Sequence, residues 1–149
     1  MAVKLDPLPQ TCFEDINVGD EVPGFSYPLT WTEMVKQVSG SQDFYAVHHD
    51  PPFAKSGGHP DIFYNTGWTR ANLYRLLADF AGPDGWVRKL HFEMRRMNMP
   101  GDTIRVGGIV TGKRQTDEGN EVDLELWIEN DREGKATPAV GTVLLPSRR

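Results

Sequence analysis

The chain has 149 residues, one domain's length and enough to bury roughly two-thirds of the surface its unfolded form exposes, so it needs no disulfide or metal to hold a core. A hydrophobic fraction of 38% and a charged fraction of 25% exclude the disordered, collagenous and fibrous classes. Sixteen Lys and Arg against 21 Asp and Glu leave a net charge of −5, which offers no electrostatic footprint for nucleic acid or an anionic membrane.

The single cysteine, Cys12, rules out an internal disulfide and a Cys-rich zinc site. It reads as a small buried residue and fits a reducing, cytoplasmic location. Met1 to Gln10 lacks the apolar core of a signal peptide, and no uncharged apolar run approaches the roughly 18 residues of a membrane span. Pro7 and Pro9 predict an extended start, and the turn at Gly19 and Asp20 introduces a strand at Glu21 to Tyr27. Thr30 or Thr32 is placed to cap a helix running to about Ser39, because Trp31, Met34, Val35 and Val38 recur on one face; Gly40 is its expected end. From Ser41 to Pro60 proline, glycine and histidine are too frequent for a long helix or a central strand. A structured loop is expected, with at most a turn of helix at Pro52 to Ser56.

Asp61 is the expected cap of the longest helix, Ile62 to Phe80, whose apolar residues cover most of its circumference and must therefore be wrapped. Ala81 to Asp84 stop it. From Gly85 the pattern changes to period two in four runs, Trp86 to Met97, Thr103 to Lys113, Glu121 to Glu129 and Ala136 to Leu145, separated by turn residues. One wrapped helix followed by an antiparallel meander predicts a single α+β domain over residues 1–149 in the hot-dog arrangement, a curved sheet of five or six strands rolled around a central helix. Such a sheet leaves edges open, so a homodimer or heteromer is expected.

The chemistry is concentrated in Ser41-Gln-Asp-Phe-Tyr-Ala-Val-His-His-Asp50. Asp43 and His48 are five apart, which separates them on a helix and opposes them on a strand, so only a loop brings them together. A carboxylate beside an imidazole supplies an acid and a base near neutral pH. The alternative is that Asp43 satisfies the end of the preceding helix while His48 and His49 lie on the surface. His48, His49, Asp50 and His59 also suit zinc or iron, but adjacent histidines diverge and no helical ligand spacing is present, so no metal is expected. There is no G-x-S-x-G and no phosphate-cradling glycine loop.

The run Ser41-x-Asp43-x-x-x-x-His48-x-Asp50-Pro51, with Ala54 and the Gly57-Gly58 pair before the central helix, resembles the hydratase motif of MaoC-like hot-dog dehydratases. Phe13 to Asp20 is similar to their usual opening. Within that family Asp43-Phe44, Val47-His48-His49-Asp50, Asp61-Ile62-Phe63, Asn65, Arg75, Asp79 and Ala81-Gly82-Pro83 look most like the small MaoC-like subunits of actinobacterial steroid side-chain enoyl-CoA hydratases. Two positions depart from the family. Tyr45 and Ala46 stand where many members have Asn-Pro, so the asparagine that helps orient the dyad is missing. Tyr64-Asn65 stand where members often have His-Gly.

The resemblance implies hydration of a trans-2-enoyl-CoA, with no cofactor, by Asp43 and His48 holding one water between them. The acyl group it implies is a bulky or steroid side chain, and the partner a second MaoC-like chain without the dyad. An enolate-like oxygen needs donors, and the first turn of the central helix has unpaired amides, so an amide near Asn65 or Gly58 is the candidate. Asn65 is otherwise a packing residue. Tyr45 fits a remodelled pocket mouth. Arg88, Lys89, Arg95 and Arg96 lie on one predicted strand, with Arg88 and Arg96 on one face and Lys89 and Arg95 on the other. Most are expected on a solvated face, and Arg88, Arg95 and Arg96 are the candidates for CoA phosphate. Trp68, Trp86 and Trp127 read as core more than acyl-pocket lining. A non-catalytic hot-dog subunit and a hot-dog thioesterase are the competing functions.

Overall fold

The chain's computed structural model describes residues 9–148, so Pro7 lies outside the described residues. Three helices and five strands follow in the order β1 (Glu21–Pro28), α1 (Trp31–Ser41), α2 (Pro51–Ser56), α3 (Thr66–Ala81), β2 (Trp86–Phe92), β3 (Thr103–Thr116), β4 (Gly119–Asn130) and β5 (Gly134–Leu145). All strand pairs are antiparallel, in the sheet order β1-β3-β4-β5-β2. The α+β hot-dog class is as expected.

Period-two alternation in β3, β4 and β5 puts Ile104, Val106, Val110, Val122, Leu124, Leu126, Ile128, Ala139 and Val143 on the inner face. Against it α3 lays Leu73, Leu76, Leu77 and Phe80, all buried. The opposite side of α3 is open in the single chain, with Tyr74 half exposed, so this chain alone wraps the helix only in part. Gly141 of β5 permits the close approach of helix to sheet: a Cβ there would lie 2.9 and 3.0 Å from the Leu77 methyls and 3.2 Å from Leu126. Both leucines are fully buried and have nowhere to move. Gly141→Ala is therefore expected to lower stability by about 1–3 kcal/mol, read from the midpoint of urea denaturation.

Several local expectations are corrected. The long helix starts at Thr66 instead of Ile62, and its cap is Asn65, whose Oδ1 accepts from the Trp68 amide at 2.8 Å. Asp61 accepts instead from the adjacent Ile62 amide. The intervening residues are extended because their amides are used elsewhere: Phe63 donates to the Val47 carbonyl at 3.3 Å and Tyr64 to that of Asn98 at 2.9 Å. Gly40 does not end α1, which runs on to Ser41; the left-handed residue that reverses the chain is Gln42, at φ 56°.

The first of the four predicted runs is not a neighbour of the second. It pairs with β5 and ends at Phe92, so residues 93–102 form a crossover instead of a hairpin. Buried side-chain bonds hold that crossover: Asn98 accepts from Asn130 at 3.0 Å, and Asp102 accepts from the Met99 amide and from Arg132. Cys12 is half buried. No helix is long and apolar enough to cross a membrane among the described residues.

Candidate active site

The segment after α1 is where the dyad residues meet. The left-handed turn at Gln42 sends Asp43 back toward α3, and a 3-10 turn at Ala46–His48 swings His48 inward. Asp50 then caps α2 by accepting from the Phe53 amide, with Pro51 in the first turn, which fixes the far end of the loop. His48 Nε2 stands 3.4 Å from Asp43 Oδ2. The imidazole is buried, while the carboxylate is 40% exposed and so faces the solvent side of the pair.

The imidazole's tautomer follows from its other nitrogen. Nδ1 lies 2.7 Å from the Phe63 carbonyl, which only accepts, so Nδ1 carries the proton and neutral His48 presents a lone pair at Nε2. Asp43 Oδ2 accepts from Asn65 Nδ2 at 2.8 Å and Oδ1 from the Tyr45 amide at 3.3 Å. These bonds, that of Asn65 above all, hold the Asp43 carboxyl below the usual carboxylate range despite partial burial. Asn65 Nδ2 also reaches Ser41 Oγ at 3.1 Å, and Ser41 in turn donates to the Gln37 carbonyl at 2.7 Å. An asparagine amide thus holds the Asp43 carboxylate after all. It comes from the cap of α3 instead of the residues following Asp43.

The dyad carboxylate opens on a pocket of about 540 Å³ between α1 and α3. Gln37, Gly40 and Ser41 form one wall and Gly67, Arg70 and Ala71 the other, each set spaced three and four apart on one helical face. Small residues on both walls keep the groove open. Trp68, read from sequence as core, is packed against the core and also lines this pocket, leaning on Tyr64 at 4.5 Å between ring centroids.

The other predicted site residues divide. Tyr45 is exposed, edge-on to His48 and Phe53, and does not line the pocket. Gly58 is no oxyanion donor: its amide is taken by the Lys55 carbonyl at 3.0 Å. Asn65 contributes its side chain to Asp43, and the amides of Thr66 and Gly67 have no hydrogen-bond partner among the described residues. Arg88, Arg95 and Arg96 do not form the predicted two-faced strand. Arg88 is the extra residue of a bulge between Val87 and Lys89, and β2 ends before the other two. Arg88 pairs with Glu118 and Glu121, Arg95 pairs with Glu93, and the amides of Arg95 and Arg96 both donate to the Ala136 carbonyl. Trp86 is 68% exposed on edge strand β2, and Trp127 covers Gly107. His49 turns outward to the Phe44 carbonyl, and no group of three His, Cys, Asp or Glu converges on a metal position among the described residues.

Sequence reasoning missed Arg70, Gln37 and Gly67. Their shared wall depends on how α1 packs on α3, which no local pattern encodes.

No protein-family model matches the chain. Over 80 residues it is 30% identical to the 3-oxo-4,17-pregnadiene-20-carboxyl-CoA hydratase beta subunit of Mycobacterium tuberculosis, a match spanning 54% of this chain and 62% of that relative. Its fold is similar to that in the ChsH1-ChsH2 complex from Mycobacterium tuberculosis, with a TM-score of 0.77 and 24% identity over 87% of this chain and 98% of the other. It is also similar to a MaoC-like dehydratase from Rhodospirillum rubrum, with a TM-score of 0.79 and 19% identity over 93% and 99% of the two chains. Taken with the five-stranded sheet around α3, these likenesses give the chain the hot-dog fold of those proteins.

Proposed function

We propose that the chain is an enoyl-CoA hydratase whose Asp43 and His48 add water across a trans-2-enoyl thioester. The observation that carries this reading is their convergence at 3.4 Å, both as acceptors, with the Asp43 carboxylate lining an open pocket and His48 buried behind it. A water donating one proton to Asp43 Oδ2 and the other to His48 Nε2 satisfies both lone pairs at once. Its oxygen attacks the β-carbon as one proton passes to the pair, and the pair returns a proton to the α-carbon. Water has then added across the double bond with no group left over. The thioester oxygen, negative in the enolate-like intermediate, lies best at the first-turn amides of α3; Gly67, which lines the pocket, is the donor we assign, aided by the helix dipole.

The acyl group is proposed to be bulky, of the steroid side-chain class that the curated relative's name describes for that protein. Pocket volume and openness suit it. The working unit is proposed to include a second MaoC-like chain, covering the open side of α3 and the edge strands β1 and β2, where Trp86 stands exposed.

Product analysis tests the reaction. The purified chain, alone and with a MaoC-like partner, is given crotonyl-CoA and a polycyclic enoyl-CoA. Loss of enoyl absorbance without release of free thiol is expected, chiefly on the bulky substrate with the partner present. Release of free CoA would make it a thioesterase. No turnover in any combination would make it a non-catalytic subunit, and strong turnover of crotonyl-CoA by the chain alone would defeat the partner requirement.

A further inference from the structure

The dyad pocket carries a cation that the hydration chemistry does not use. Arg70 lies on the α3 wall, one turn beyond Gly67 on the same face, and is exposed to the pocket mouth. Among the described residues it has neither an ion pair nor a side-chain hydrogen bond. The arginines at positions 75, 88, 95, 105, 114, 132 and 148 each meet a carboxylate, and Arg96 bonds the Arg95 carbonyl. On the facing wall the Gln37 amide oxygen is buried without a partner. A groove built for a purely hydrocarbon acyl chain would leave no free guanidinium there, since the cation demands an anionic or acceptor partner once a ligand displaces its water.

We propose that Arg70 binds a carboxylate on the acyl portion of the substrate, so that the pocket prefers enoyl thioesters carrying a second carboxylate, bulky acyl groups included, over those of purely hydrocarbon acids. This rests on the hydratase reading for where the thioester sits. With the thioester oxygen at the α3 amides, Arg70 is displaced by about 4.5 Å along the helix from Gly67. An anion within its reach is then a few bonds from the thioester. The phosphates of CoA are separated from it by the whole pantetheine arm, whereas a carboxylate a few carbons along the acyl chain falls in range. The planar guanidinium suits bidentate pairing with that carboxylate. Asp43, the one acidic side chain lining the pocket, is held by Asn65 and has no ion pair with Arg70, so the guanidinium is left for the ligand.

Binding tests this without requiring turnover. Dissociation constants for adipyl-CoA and hexanoyl-CoA, equal in chain length and differing in the terminal carboxylate, are measured by calorimetry for the wild-type protein and Arg70→Gln. The wild type is expected to prefer adipyl-CoA by about tenfold, as for one charge-assisted pair, and Arg70→Gln to lose that preference while binding hexanoyl-CoA as before. The same preference is expected with the phosphate-free pantetheine thioesters of the two acids. Equal affinity of the wild type for both acyl groups, or binding of neither, overturns the proposal. So does an equal weakening of both CoA thioesters by Arg70→Gln that vanishes with the pantetheine thioesters, which would assign Arg70 to phosphate. Failure of the hydratase reading appears separately, in the product analysis, as release of free CoA or absence of turnover, neither of which alters the binding comparison.

Discussion

Asp43→Asn and His48→Ala are each expected to lower hydration of an enoyl-CoA by at least about a hundredfold, the scale on which a general acid-base group contributes. Asp43→Asn keeps the side chain's shape but replaces an acceptor-only carboxylate by an amide that faces Asn65 Nδ2 and His48 Nε2 with a donor on one side. Its amide oxygen can accept a hydrogen bond from the water but cannot take up its proton, so one of the pair's two bases is lost. His48→Ala removes the other and also frees the Phe63 carbonyl that Nδ1 satisfies at 2.7 Å. It therefore costs stability as well, and rates are compared at equal folded fraction, checked by thermal melting. His49→Ala is the control, because His49 points outward to the Phe44 carbonyl. Equal losses at His48 and His49, or a loss restored by added zinc, would overturn the dyad in favour of a metal site.

Asn65→Ala is expected to cost about ten- to a hundredfold in kcat/KM, the range in which misplacing a reacting group is felt, and to move the acid limb of the pH profile upward. The sign follows from the bond at 2.8 Å. Its amide N–H favours the charged carboxylate and is the largest influence holding Asp43 below the ordinary range. Without it the carboxyl protonates at higher pH, so the active ionised form is lost earlier as pH falls. The same substitution removes the cap of α3, worth about 1 kcal/mol. Asn65→Asp separates the two effects. Its carboxylate still accepts from the Trp68 amide, so stability is kept, but it cannot donate to Asp43 and adds a like charge beside it, so the acid limb moves up further. An unchanged acid limb in both variants would show that Asn65 only packs and caps.

Secondary structure was legible wherever one period ran without interruption. The alternation in Thr103 to Leu145 gave β3, β4 and β5 nearly to their ends, and the spacing of Trp31, Met34 and Val38 gave α1. That Asp43 and His48 could meet only in a loop was legible too, and there they stand 3.4 Å apart; their catalytic role is the proposal made above. Boundaries failed where a side-chain bond from elsewhere outweighed local preference. Asp61 looked like the cap of α3, but the amides of Phe63 and Tyr64 are bound to Val47 and Asn98, so helix cannot start before Asn65.

What tertiary structure alone decided is the pairing of β2 with β5 and the makeup of the pocket. Pairing is a contest among strands distant in sequence, and Pro100, Gly101 and Asp102 read equally well as a hairpin turn or as part of a crossover held by Asp102 and Arg132. The arginines divided in the same way. Sequence grouped Arg88, Arg95 and Arg96 by proximity, yet a bulge and an early strand end dispersed them, Arg88 and Arg95 to carboxylates and Arg96 to the Arg95 carbonyl, while Arg70, isolated in sequence, was left unpaired among the described residues beside Asp43. Periodicity is a property of neighbouring residues and survives in one dimension. Which charges meet depends on distances across helices and strands, and those exist only once the chain has folded.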